Sequence, residues 1–122
     1  MATIKSYTNI DQSKILAEIL SPENADMCYP YNRHLNEMYG DIPYVMGYKK
    51  FNKDTDIPCW SLAALLDVLK DDIKIEKTLF DQSDMFTYSI LGDAYEYRTY
   101  EHENLIDACV EMIIKLKEMN LL

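Results

Sequence analysis

Glycine is scarce in this chain, with three residues in 122. A phosphate-cradling loop needs several glycines close together, so no nucleotide-binding loop of that kind is present. Cysteine is equally rare. Cys28, Cys59 and Cys109 are odd in number, widely spaced and form no CxxC pair. That excludes a disulfide framework and a zinc ribbon, and it points to a reducing intracellular compartment. No apolar run approaches the ~20 residues that a membrane helix needs. The opening Met1-Ala2-Thr3-Ile4-Lys5-Ser6-Tyr7 lacks the apolar centre of a secretory signal. The expected location is the cytoplasm. Neither GxSxG nor HExxH occurs.

Positive charge is the other shortage. Twelve Lys and Arg face 21 Asp and Glu, for a formal net charge of −9. After Ser61 the imbalance is thirteen acidic residues against six basic ones. A polyanion-binding surface needs a basic face, so direct nucleic acid binding is not expected, nor is attachment to an anionic membrane. The charge keeps a small domain dispersed. It also suits an acidic face that meets a basic partner.

Hydrophobic residues make up 48% of the chain, enough for one globular domain spanning residues 1–122. Thr8 or Asn9 caps a helix over 9–20, with Ile15, Leu16, Ile19 and Leu20 on one side, and Ser21-Pro22 ends it. Residues 22–56, with Pro22, Pro30, Pro43, Gly40 and Gly47, read as irregular. Within them, Asn32 caps a short helix closing at Gly40, and Tyr44-Val45-Met46 is a short extended piece. A second helix occupies 58–70. Pro58 suits its first turn, Ser61 is a competing cap, and Leu62, Leu65, Leu66 and Leu69 form its stripe.

Three strands follow over 73–101. The second alternates at Phe86, Tyr88 and Ile90, and Gly92-Asp93 reads as a two-residue hairpin turn. Residues 104–119 form the longest helix. Its apolar positions cover about 240° of the wheel, while Asp107, Glu111, Lys115 and Glu118 make the polar remainder, with Glu111 and Lys115 as an i,i+4 pair. The fold class expected is α+β: a three-stranded antiparallel meander packed against the C-terminal helix, with two further helices N-terminal to the sheet. So wide an apolar face needs more cover than one sheet. The earlier helices or a second copy of the chain supply it.

The spacings Cys28–His34 and His102–Cys109 match no tight metal pair, and His102 reads as a surface residue at a strand-to-helix junction. Cys59, beside Trp60 at a helix start, is the one cysteine whose location could lower its pKa, but no catalytic motif surrounds it, and Pro58, Cys59 and Trp60 read as a packed entry to the helix. The acidic residues Asp67, Asp71, Asp72, Asp81, Asp84 and Asp93 lack the ladder of a calcium loop and read as solvated turns. No cofactor, metal or catalytic residue is assigned. The ten tyrosines stand out. Tyr29, Tyr31, Tyr39, Tyr44 and Tyr48 crowd the irregular segment, and tyrosine supplies rigid amphipathic contact area. These five are the candidate interaction surface.

Three stretches carry a resemblance: Tyr7-Thr8-Asn9-Ile10-Asp11-Gln12-Ser13-Lys14, Ile57-Pro58-Cys59-Trp60-Ser61-Leu62-Ala63-Ala64-Leu65-Leu66, and Asp107-Ala108-Cys109-Val110-Glu111-Met112-Ile113-Ile114-Lys115-Leu116. The chain resembles a group of short uncharacterised proteins of Bacteroides-type gut bacteria, their phages and mobile elements. That resemblance implies a cytoplasmic, accessory setting and assigns no functional residue. The helix–three strands–helix order after Leu62 is also similar in topology to the double-stranded-RNA-binding domain. There, basic residues at the start of the last helix grip phosphates. The matching Glu101-His102-Glu103-Asn104-Leu105-Ile106-Asp107 is acidic.

The function expected is a non-catalytic protein–protein interaction module, able to self-associate, with an unidentified protein partner. The alternative is an acidic, DNA-mimic-like inhibitor of a nucleic-acid-binding host protein, and the third reading is a small enzyme.

Overall fold

The computed structural model describes residues 6–30, 42–45, 52, 54–69, 73–79, 86–92 and 96–122. It is α+β, and it divides into two compact units, one spanning Tyr7–Ala64 and the other built on Leu65–Leu122. Among the described residues, no helix is long and apolar enough to cross a membrane.

In the first unit, α1 spans Ile10–Ile19. Asn9 closes its N-terminus reciprocally: its Oδ1 accepts from Gln12 N at 2.8 Å, and its own N–H donates to Gln12 Oε1 at 3.1 Å. Two orphan donors of the first turn are satisfied, and Asp11 adds favourable charge there. The buried stripe is Ser13, Leu16 and Leu20, while Ile15 is 46% exposed. The apolar side expected from the wheel is thus rotated, because Ser13 is buried with a partner for its hydroxyl. The chain leaves α1 through a 3-10 turn, Pro22–Asn24, capped by Ser21 Oγ, which accepts from Glu23 N.

Segment 22–56 contributes two strands, β1 (Met27–Tyr29) and β2 (Tyr44–Val45), where irregular chain was expected apart from the extended piece at 44–46. With β3 (Ile57–Cys59) they form an antiparallel sheet of order β2-β1-β3. Cys28 pairs with Tyr44 on one side and Pro58 on the other. Pro58 therefore lies in a strand and not in a helical first turn. Proline has no N–H for the ladder, and β3 is a sheet-edge strand, where that loss is tolerated. Helix α2 starts only at Leu62 and runs to Leu69. Ser61 is its cap, with Oγ accepting from Ala64 N at 3.2 Å. The helix reading Asn32–Gly40 lies outside the described residues.

In the second unit, β4 (Ile73–Leu79) pairs with β5 (Phe86–Gly92) along its whole length, from Ile73 opposite Gly92 to Leu79 opposite Phe86. β6 (Tyr97–Arg98) follows antiparallel on the far side of β5. Gly92 belongs to the strand, opposite Tyr97, so the connection is 93–96 and not a two-residue turn. Glu96 closes it at φ 51°, in the left-handed region.

Pairing to β5 continues beyond β6 with a slip. Arg98 faces Leu91 and His102 faces Tyr88, leaving 99, 100 and 101 opposite only Ser89 and Ile90. This is a β-bulge, with one extra residue on the outer strand. Thr99 holds it by accepting from Ile90 N through Oγ1 at 2.9 Å and donating its own N–H to Ile90 O at 2.9 Å. Tyr100 is thrown outward, 80% exposed. On β5, Thr87, Ser89 and Ile90 are all buried, so both of its faces are covered.

Helix α3 spans Leu105–Glu118 and contacts β5. Asn104 caps it, accepting from Asp107 N at 2.9 Å. At the other end Asn120 adopts φ 57°, with Leu121 N donating to Leu116 O and Asn120 N to Lys117 O. That is a Schellman motif with asparagine in the glycine position. Ile106, Ala108, Cys109, Val110, Met112, Ile113 and Leu116 are buried.

Candidate functional site

Two polar networks and two exposed strand edges hold the functional possibilities. The first network centres on Thr8, fully buried. Thr8 N donates to Trp60 O at 3.0 Å, which lays the chain start along the end of β3. The Thr8 hydroxyl lies 2.8 Å from Ser13 Oγ and accepts from Trp60 N at 3.2 Å. The Thr8 carbonyl accepts from Tyr29 Oη at 2.7 Å and from Cys59 Sγ at 3.4 Å. Burial pushes the Cys59 thiol up, against weaker opposing effects from the Thr8, Tyr29 and Ser13 hydroxyls, and Asp26 raises it further. Cys59 and Trp60 are both fully buried, as the packed reading of Pro58-Cys59-Trp60 expected, and the location does not lower the thiol. Cys59 sits in β3, ahead of the helix start, fully buried where desolvation disfavours thiolate. The Trp60 indole N–H is buried and has no acceptor among the described residues.

Beside that network, Asp26 Oδ1 accepts from Ser61 N at 2.9 Å, and Asp26 Oδ2 accepts from the Ser61 hydroxyl. The carboxylate turns the Ser61 oxygen toward the first turn of α2, which is a capping role. An open groove of about 530 Å³ is lined by Lys14, Ala17, Glu18, Pro22, Asp56, Ile57 and Pro58. Its Asp56 carboxylate is engaged by Asn52 N at 2.9 Å.

The second network centres on Glu111 of α3. Its carboxylate accepts from Tyr97 Oη at 2.8 Å and Tyr100 N at 3.0 Å, and lies 2.8 Å from His102 Nε2. The bulge at 99–101 makes this possible by bringing three donors from β6 and its extension to one acceptor. Glu111 is therefore not the exposed helix partner of Lys115. Lys115 lies 3.8 Å from Glu118 and 5.0 Å from the Tyr97 ring centroid. His102 is half-buried and engaged, where a surface histidine was expected. The hydrogen bond to Glu111 pushes the Tyr97 phenol up to about 12. Burial alone takes the Cys109 thiol to about 12. All three cysteines are buried thiols, none of them in a disulfide. Among the described residues no group of three His, Cys, Asp or Glu side chains could hold a metal ion.

Of the five tyrosines expected to form an interaction surface, Tyr29 is buried and donates to Thr8, and Tyr44 is 44% exposed. Tyr31, Tyr39 and Tyr48 lie outside the described residues. Tyr44 has exposed apolar neighbours in Ile42, 54%, and Val45, 51%. In the second unit, Ile75 and Leu79 of β4 are exposed at 41% and 57%. No protein-family model, curated protein or solved structure matches the chain.

Proposed function

We propose that the protein is a non-catalytic protein–protein interaction module and that the outer edge of β2 docks an extended segment of a partner protein. The observation that carries this is the exposure of Tyr44 and Val45 together. Adjacent strand residues point to opposite faces, so both sides of this edge offer apolar surface to water. β1 pairs with β2 on one side, and among the described residues no strand pairs on the other. An added strand would satisfy the open backbone groups while Tyr44 and Val45 read its side chains. A net charge of −9 favours a basic segment. The raised Cys59 and Cys109 thiols and the structural use of His102 and Glu111 fit a non-catalytic role.

A photo-crosslinking residue placed at Tyr44 in expressing cells tests the reading, with the same residue at exposed Ile15 as control. The expected outcome is one adduct of defined mass at Tyr44, lost when Val45→Asp is added at unchanged far-UV circular dichroism. Equal labelling at both positions sinks it. A second reading, an acidic inhibitor of a nucleic-acid-binding protein in a phage or mobile-element setting, rests on the charge alone. It requires the crosslinking yield in lysates irradiated at increasing salt to fall steeply and the partner to be basic.

A further inference from the structure

We propose that β4 is the contact strand of a symmetric dimer, pairing antiparallel with β4 of a second copy in the register that sets Ile75 opposite Ile75. This edge belongs to the Leu65–Leu122 unit, so the inference stands or falls independently of the β2 reading.

β4 is seven residues long and is paired with β5 along all of them. On its outer side no strand is paired among the described residues. Soluble proteins normally cover or blunt an edge of this length. Here Lys74 and Lys77 are the charges available for blunting. Lys77, however, leans back over its own sheet, with Nζ 5.8 Å from the centroid of the Tyr88 ring. The exposed apolar residue at the strand's centre of charge is Ile75, flanked by Lys74 and Glu76.

Symmetry narrows the registers. Hydrogen-bonded and non-hydrogen-bonded residue pairs alternate along an antiparallel ladder. A two-fold axis must map each kind of pair onto itself, so it must pass through a residue facing its own copy. Centring on Lys74 or Lys77 sets lysine against lysine, and centring on Glu76 sets glutamate against glutamate. Centring on Thr78 leaves Glu76 beyond the end of the partner strand. Centring on Ile75 sets Lys74 opposite Glu76 twice on one face and Ile75 opposite Ile75 on the other. Glu76 already pairs with Arg98 across β5. Its carboxylate would then lie between Arg98 and the incoming Lys74, and one continuous six-stranded sheet would result. The strand is self-complementary in charge only in this register, which is what commits the edge to a second copy over an arbitrary strand.

Sedimentation equilibrium across a wide concentration range tests it. The expected mass is that of two chains. Lys74→Glu weakens the dimer at least about tenfold, because both opposite pairs become repulsive. Glu76→Lys does the same, and an equimolar mixture of the two variants restores dimer, since positions 74 and 76 are then both acidic on one strand and both basic on the other. A monomer at every concentration overturns the proposal, as does a dimer indifferent to Lys74→Glu or a mixture that stays monomeric. Amide hydrogen exchange on the unaltered protein gives a reading free of folding artefacts. Slow exchange at Ile73–Leu79 wherever the mass is that of two chains, and faster exchange once dilution yields monomer, supports the proposal, and rapid exchange of every outward-facing amide of the strand in the dimer refutes it.

Discussion

Thr8 carries more of the first unit than its size suggests. Its hydroxyl serves Ser13 and Trp60 N, and its carbonyl serves Tyr29 and Cys59. Thr8→Val keeps the shape and removes the hydroxyl, leaving Ser13 Oγ and Trp60 N buried without it. The expected loss is about 1–3 kcal/mol in urea denaturation. At Glu111 the readout is different. Glu111→Gln removes the charge that holds the Tyr97 proton, so the Tyr97 phenol returns from about 12 toward its ordinary 10.0. The difference in tyrosinate absorbance between the two proteins during an alkaline titration measures that return.

At the scale of elements, the caps set a second expectation. Asn9→Ala removes the side-chain arm of the α1 capping box, leaving only the backbone N–H of residue 9 to meet Gln12, and costs about 1 kcal/mol by chemical denaturation. The start of α1 was legible in the sequence as a choice between Thr8 and Asn9, and the start of α3 to within a residue, because a helix end depends on residues a few positions away, whereas the pairings Asn9 with Gln12 and Asn104 with Asp107 came only from the structure. The Leu62–Leu69 stripe and the three-strand order after Ile73 were legible through periodicity for the same reason. The pairing of Met27–Tyr29 with Ile57–Cys59 was not, because it joins residues about thirty positions apart and passes through a proline that locally suits a helix start. The bulge at 99–101 was hidden as well. A one-residue slip leaves no periodic trace, and without it Glu111 reads as an ordinary solvent-facing helix residue. Tyr29 shows the same limit from another side, since a tyrosine in a proline-rich stretch gives no local sign that its hydroxyl ends against a carbonyl twenty-one residues earlier.

For the whole molecule, the titrating groups agree in direction. Cys109 and Cys59 are pushed up from 9.0, and Tyr97 from 10.0, with Cys109 and Tyr97 reaching about 12. Above pH 9 the unfolded chain gives up these protons while the folded one keeps them, so rising pH favours unfolding. Stability is expected to be fully held below about pH 9 and to fall between 9 and 12. Denaturation midpoints across that window check this, and Cys109→Ala should flatten the slope. In the same vein, no thiol of the native protein should react quickly with an aromatic disulfide reagent at neutral pH, and all three should react once it is unfolded.

The single tryptophan, Trp60, is fully buried and belongs to the Tyr7–Ala64 unit, so the chain has a built-in optical gauge placed in one of its two halves. Emission excited at the red edge of indole absorption will follow the release of Trp60 into water. Far-UV ellipticity, by contrast, sums the backbone of both. Recorded on one sample, superimposed curves would mean that the two halves come apart in a single cooperative event. Separated curves would time the opening of each half against the other with no label introduced.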